Sequence, residues 1–406
     1  MRNFWLSMHR YLGLGMTLFL VVTGITGAII SWDHELDEWL NPHLNETSSA
    51  GTPKSPIELA QHVEKMFPHI EVTYFELHHE PGHSQYFWVE PRVNPNTGRL
   101  YDTDFNQVYV DPINGSVLGK REWGQVWPIT RETFMSFLYK LHFSFHIPEF
   151  WDFEHWGILL LGVVALIWTL DCFIGLYLTL PRKRARKTQS SWWQRWKPAW
   201  KIATQKGSAR LNFDLHRAFG LWTWVLLLTL AFTAFSLNLY RDVFFPLMSL
   251  VSDVTPSPLD LRTPNDHHDP ITPSLTFSDI AKQSQAVAQQ RQWQEPLGSL
   301  WYAREYGLYR VEYFTAAAGH GSGGVGHKAL YFDGNSGEYL GDFIPWRGTA
   351  ADLFVQAQFP VHSGRILGLP GRILISAMGL IVAMLSITGL IIWMRKTKRK
   401  RQAQHS

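Results

Sequence analysis

Four stretches of this 406-residue chain are long, apolar and almost free of charge. Residues 11–32, 218–240 and 373–394 contain no Asp, Glu, Lys or Arg, and 156–180 is interrupted only by Asp171. About 20 consecutive apolar residues suffice for a helix to cross a bilayer core, so each stretch predicts one span. Trp32-Asp33 follows the first without a small-residue cleavage site. That span is therefore expected to be retained, not removed as a signal peptide.

Between the spans the pattern shortens. Residues 86–90, 107–110, 308–314 and 329–332 are strand-like, rich in β-branched and aromatic residues, and Asn94-Pro95-Asn96-Thr97-Gly98 reads as a turn. Residues 56–67 and 278–290 predict helices, and 319–326 a flexible loop. The fold expected is an integral membrane α-helical four-helix bundle carrying two α+β domains. Its parts are span one (1–32), domain one (33–140), span two with an extension (141–181) and a basic loop (182–210). Span three (211–245), domain two (246–350), span four with an extension (351–395) and a basic tail (396–406) complete it.

Charge gives this arrangement a direction. Lys and Arg number two in residues 1–10, ten in 181–210 and six in 395–406, and none of these segments holds a carboxylate. Positive residues stay on the cytoplasmic side. Both termini and the central loop are thus expected in the cytoplasm, and the two domains outside it. A bacterial inner membrane is the expected location, with the domains in the periplasm. Charged residues make up 17% of the chain against about 25% in soluble domains. The 19 Trp fit interfacial belts. The bilayer is the expected surface partner, and no nucleic-acid partner is expected.

The chain also repeats itself. His9-Arg10-Tyr11-Leu12-Gly13-Leu14 and His216-Arg217-Ala218-Phe219-Gly220-Leu221 open spans one and three with the same His-Arg-x-x-Gly-Leu pattern. Residues 108–119 and 330–341 each read as a strand, an Asp-x-x-x-Gly turn and Leu-Gly. Leu141-His142 and Val361-His362 precede spans two and four. Each half is expected to be helix, outer domain, helix.

One cysteine, Cys172, excludes a disulfide framework, a Cys-based zinc site, an iron–sulfur cluster and covalent haem attachment. Histidine, present 18 times, is the ligand left. Topology puts His9 and His216 at the cytoplasmic membrane face and His142 and His362 at the other. Two imidazoles on opposite faces of a haem make a low-spin electron-transfer site, and helix bundles build such sites from facing helices. Gly13 and Gly220, one turn from the inner histidines, leave room for a flat macrocycle. Arg10 and Arg217 can neutralise propionates there, and Arg365 and Arg372 on the outer side. Gly24 and Gly27 lie near the outer level, and Gly175 and Gly389 near the inner one. His146 and His155 compete with His142 for the second-span role. His34, the cluster His78, His79 and His83, and Asp266-His267-His268-Asp269 are further candidates, read chiefly as solvated loop residues.

The His-Arg-x-x-Gly openings, the paired Asp-x-x-x-Gly-x-x-Leu-Gly hairpins, Leu141-His142, Pro360-Val361-His362-Ser363-Gly364 and 171–181 together resemble the PepSY-associated transmembrane family. The resemblance covers nearly the whole chain and is greatest to the ferrisiderophore reductases of ferrioxamine uptake. It implies two b-type haems, a periplasmic ferric siderophore as substrate, and His9, His142, His216 and His362 as axial ligands. The corresponding activity is a ferric-siderophore reductase. A cytoplasmic or quinol donor supplies electrons, which cross the membrane and reduce Fe(III) to release Fe(II). Trp168, Phe19 and Trp224 can shorten that path.

Two rival readings stand beside it. One is a membrane-anchored, PepSY-type binding or peptidase-regulating protein without redox activity. The other is a siderophore or iron permease, disfavoured by spans that hold almost no ionisable residue. Gly319-His320-Gly321-Ser322-Gly323-Gly324 matches G-x-G-x-x-G but opens no predicted helix, so no dinucleotide site is expected.

Overall fold

The computed structural model describes residues 1–151, 153, 155–182 and 190–404. Positions 183–187 of the basic loop lie outside these. The helices in chain order are α1 (Arg2–Ile30), α2 (Asp33–Leu40), α3 (Pro42–Asn45), α4 (Pro56–Met66), α5 (Phe134–Ser144), α6 (Trp156–Thr179) and α7 (Trp192–Trp196). They continue as α8 (Ser208–Trp222), α9 (Trp224–Asn238), α10 (Phe245–Val251), α11 (Phe277–Gln290), α12 (Ala350–Ser363) and α13 (Leu369–Gln404). The strands are β1 (Ile70–Glu76), β2 (Gln85–Pro91), β3 (Gln107–Val110), β4 (Val117–Arg121), β5 (Leu297–Ala303), β6 (Leu308–Tyr313), β7 (Lys328–Asp333) and β8 (Tyr339–Phe343). Two units result: Met1–Asp33 with Leu138–Val251 and Ala357–Ser406, and His34–Phe137 with Ser252–Gln356.

In the helical unit α1, α6 and α13 are long and apolar enough to cross a membrane. The stretch 218–240, expected as one span, is shared by α8 and α9, which meet at a 72° bend. The cause is local. Thr223 returns its hydroxyl to Phe219 O at 2.7 Å, a bond that competes with the helical ladder and bends it. The indoles on either side anchor in different places, Trp222 on Trp200 O and Trp224 on Cys172 O. If the bent pair counts as one span, the chain has four. α1 runs along α13, and α6 along α9. The first contact depends on glycine, since a Cβ on Gly24 would stand 2.6 Å from Gly379 O. Leu227, Leu230, Ala231, Met378 and Val382 fill the interior beside Cys172.

The apolar stretch 156–180 forms α6, and the extension before it holds a separate helix. α5 ends at Ser144, and Phe145 and His146 take left-handed φ values of 54° and 52°. α6 begins only at Trp156. His142 therefore rides on a separate short helix.

The other unit is built on one antiparallel eight-stranded sheet in the order β4-β3-β2-β1-β5-β6-β7-β8. The two segments expected as separate domains each supply four strands, and β1 joins β5 with Tyr74 opposite Trp301 and Phe75 opposite Leu300. Phe75, Phe87, Val89, Leu300 and Leu330 are fully buried in a core shared with Leu59 and Val63 of α4 and Ile280 of α11. Alternate strand residues point to one face, so these positions form its apolar side. The expected Asp-x-x-x-Gly turns link β3 to β4 and β7 to β8. Asp111 accepts from the amides of Ile113 and Asn114, and Asp333 from those of Asn335 and Ser336. Burial alone would raise Asp333, but these amides and Arg262 hold its carboxyl well below the usual carboxylate range. The glycine-rich stretch 319–326 contains one short 3-10 turn, Ser322–Gly324, pinned where Trp346 donates to Ser322 O at 2.8 Å. A strand, β7, follows it. It thus lacks the helix N-terminus that a dinucleotide phosphate site uses.

Candidate functional site: two facing histidine pairs

His9 on α1 faces His216 on α8, with ring centroids 6.2 Å apart and planes tilted by 57°. His142 on α5 faces His362 on α12 at 6.3 Å and 52°. The four histidines paired by topology are thus brought together two by two. His142 is the second-span residue that meets His362. His155 instead stands at the α6 N-terminus with its ring against Phe153, and His146 lies in the reversal after α5.

The hydrogen bonds fix which nitrogen each ring commits. His9 Nδ1 lies 2.9 and 3.0 Å from the two carboxylate oxygens of Asp171. His216 Nδ1 meets Leu385 O at 2.9 Å and Thr388 Oγ1 at 3.1 Å. His142 Nδ1 meets Thr23 O at 3.0 Å and Thr26 Oγ1 at 3.2 Å. His362 Nδ1 meets Thr233 Oγ1 at 2.9 Å. Carbonyl and carboxylate oxygens only accept, so Nδ1 carries the proton. The hydroxyls of Thr26, Thr233 and Thr388 each donate to a carbonyl of their own helix, so they accept from the ring as well. Nε2 is left in every ring with its lone pair. Such an arrangement prepares an imidazole to bind a metal, the far nitrogen being oriented by a hydrogen bond from the near one.

Spacing agrees with that chemistry. Two imidazoles on opposite sides of one metal ion hold their nitrogens at about 2 Å from it, which puts the ring centroids roughly 6 Å apart. Glycine lets the rings lie close to the neighbouring helix. A Cβ on Gly27 would stand 2.8 Å from His142 Cε1, on Gly389 3.2 Å from His216 Cε1, and on Gly175 3.6 Å from His9 Cε1. A Cβ on Gly13 or Gly220 meets no atom within 4 Å, so each helix offers a bare surface one turn beyond its histidine. His142 and His362 open on a cavity of about 400 Å³, lined mainly by apolar side chains including Phe19 and Trp168. That volume lies within the range of small-molecule and cofactor sites.

The basic residues fall out unequally. Arg365 lines the cavity and stands 3.7 Å from Asp33. Arg372 donates to Ser31 O and lies over the Trp32 ring. Arg217 is bound to buried Asp214 at 2.7 Å and to Pro198 O, so its guanidinium is already engaged. Arg10 is half-buried on α1 beside His9. The histidines close in sequence go to different partners: His78 to Glu76, His79 to Lys54 O, and His83 to a bridge with Glu46. His34 stacks on His320, and the rings of His267 and His268 meet at a 43° tilt.

Sequence reasoning passed over the partners of the rings. Asp171 is visible there only as a charge inside a span, and the threonines are not visible as partners at all. A signal existed: Thr26 follows His9 at the same interval as Thr233 follows His216.

Residues 6–396 match the family described as the PepSY-associated TM region. The chain belongs to this family. The match takes in all four histidines and every long apolar helix, and it makes this a membrane protein. No curated protein matches the chain.

Proposed function

We propose that this member of the PepSY-associated TM family is a haem-containing electron-transfer protein. It would carry electrons across a bacterial inner membrane to a ferric siderophore in the periplasm and release Fe(II). The observation that carries this reading is the four rings. They stand in two pairs at metal-bridging distance, each with Nδ1 as donor and Nε2 left over. Haem b is the group we assign to each pair, and when bound it supplies reversible one-electron chemistry. His9 and His216 would hold one, flanked by Gly13 and Gly220. His142 and His362 would hold the other, with Arg365 at the cavity for a propionate.

The two pairs are well separated. His142 bonds to α1 at Thr23 and Thr26, which at 1.5 Å per residue lies roughly 20–25 Å along the helix from His9. That suits one site near each face of a hydrocarbon core about 30 Å thick. Trp168 lines the cavity of one pair and stands one turn before Asp171 of the other. On this reading the four spans form a bundle of two duplicated halves. The basic segments keep both termini cytoplasmic, and a cytoplasmic or quinol donor serves the His9/His216 site.

The test is a reduced-minus-oxidised spectrum of the purified full-length protein with haem quantification, followed by addition of ferric siderophores. Two low-spin haems per chain, reoxidised by the siderophore, are expected. Protein made with ample haem but lacking a Soret band would remove the redox reading and leave the anchored binding protein.

A further inference from the structure

The four rings are not equivalent. Three give their Nδ1 proton to a neutral oxygen, a backbone carbonyl or a threonine hydroxyl. His9 alone gives it to a carboxylate, Asp171, whose side chain is 8% exposed. The helix that supports His216 bears the same arrangement without the charge. Asp171 stands one turn before Gly175, which lies against His9, and Leu385 stands one turn before Gly389, which lies against His216. Where one helix offers a carboxylate, the other offers only the carbonyl of Leu385.

A carboxylate inside an apolar helix is costly, and such residues are kept where they act. Asp171 is the sole Asp, Glu, Lys or Arg in the four apolar stretches. Its packing does not account for it, because the same place is filled by leucine on the partner helix. A hydrogen bond from Nδ1–H to a carboxylate draws the proton away from the ring and makes Nε2 a stronger electron donor. A stronger donor favours the ferric over the ferrous state, and hydrogen bonding around the ligands is one of the protein's means of setting a haem potential.

We propose that Asp171 acts as a positioning residue through His9 and makes the His9/His216 site the lower-potential of the two, so that electrons run downhill toward the His142/His362 site. This inference rests on the haem reading above, and it gives that reading a direction.

Redox titration of the full-length holoprotein tests it. Wild type should titrate in two steps. A wild-type protein that carries no haem would defeat the underlying reading before this question arises. His362→Ala should remove the partner site and leave the lower-potential step, and a remaining step at the higher potential would overturn the proposal. Asp171→Asn keeps an oxygen acceptor and removes the charge. It should raise the lower midpoint so that the electron equilibrium between the sites shifts about tenfold, or about 59 mV, with the upper midpoint unmoved. Two retained haems with both midpoints unchanged would reduce Asp171 to a structural anchor. Asp171→Glu should preserve the low potential. If Asp171→Asn sheds a haem, the other two variants decide: a low midpoint lost in a haem-retaining Asp171→Glu, or a remaining high step in His362→Ala, would overturn the proposal.

Discussion

The His9/His216 and His142/His362 pairs have nearly the same internal geometry, with centroids 6.2 and 6.3 Å apart and tilts of 57° and 52°. Their supports are different. His9 and His216 lie within α1 and α8, and their glycine neighbours keep ordinary or slightly tight contact with them. His142 and His362 come from α5 and α12, shorter helices that end just beyond them. At Gly27 the backbone of α1 comes so near that no side chain fits beside the ring. One pair is carried within α1 and α8 and has a carboxylate against one ring. The other is set by close backbone approach and bonds only to neutral oxygens. Equal ring spacing thus comes from unequal means, and substitutions should separate the two.

Loss of a ring is the largest effect. His142→Ala or His362→Ala should cost one of two haems and spare the His9/His216 spectrum, and His9→Ala or His216→Ala should do the reverse. Haem per chain and low-temperature spectra of the four variants check this. Full haem content with normal spectra in all four would break the pairing itself.

Glycine comes next, and here the pairs should part. In Gly27→Ala the new methyl would stand 2.8 Å from His142 Cε1, so the ring must move. Overpacking of this kind costs about 1–3 kcal/mol, which predicts haem retention at that site weakened by roughly 5- to 150-fold. Gly175→Ala places its methyl 3.6 Å from His9 Cε1, ordinary contact, and should stay within about twofold of wild type. Haem dissociation to an acceptor protein measures both. Equal losses would show that the supports of the two pairs are alike after all.

These contrasts also mark what was legible in the sequence. Apolar length announced the spans, and Lys/Arg asymmetry sorted the histidines into the pairs that the fold brings face to face. The bend at Thr223 was hidden because 218–240 is uniformly apolar, and hydropathy does not register one hydroxyl returning to its own helix. The single sheet was hidden for another reason. β1 and β5, which join the two segments, pair across more than 200 residues of chain, and no local pattern encodes a partner so distant. Asp171 was visible as an anomaly, yet its partner is a ring 162 positions away. Spacing within a helix is readable, whereas contacts between helices must be seen.

Thr388→Val is the smallest change and the sharpest control. Thr388 Oγ1 lies 3.1 Å from His216 Nδ1, and Leu385 O is closer at 2.9 Å. The threonine hydroxyl already spends its proton on Met384 O at 2.7 Å, so it offers the ring a second, neutral acceptor. Valine removes that acceptor while the carbonyl remains. A net hydrogen bond contributes about 0.5–1.5 kcal/mol, and the weaker member of a shared pair should fall at or below the lower end. Haem retention should change by no more than about twofold, and the midpoint of the site should move far less than in Asp171→Asn. Asp171 and Thr388 brace opposite rings of one site, so this pair of variants compares charge with hydrogen bonding in a common setting. An equal shift from both would mean that any lost bond to Nδ1 moves the potential, and the carboxylate would then hold no special place.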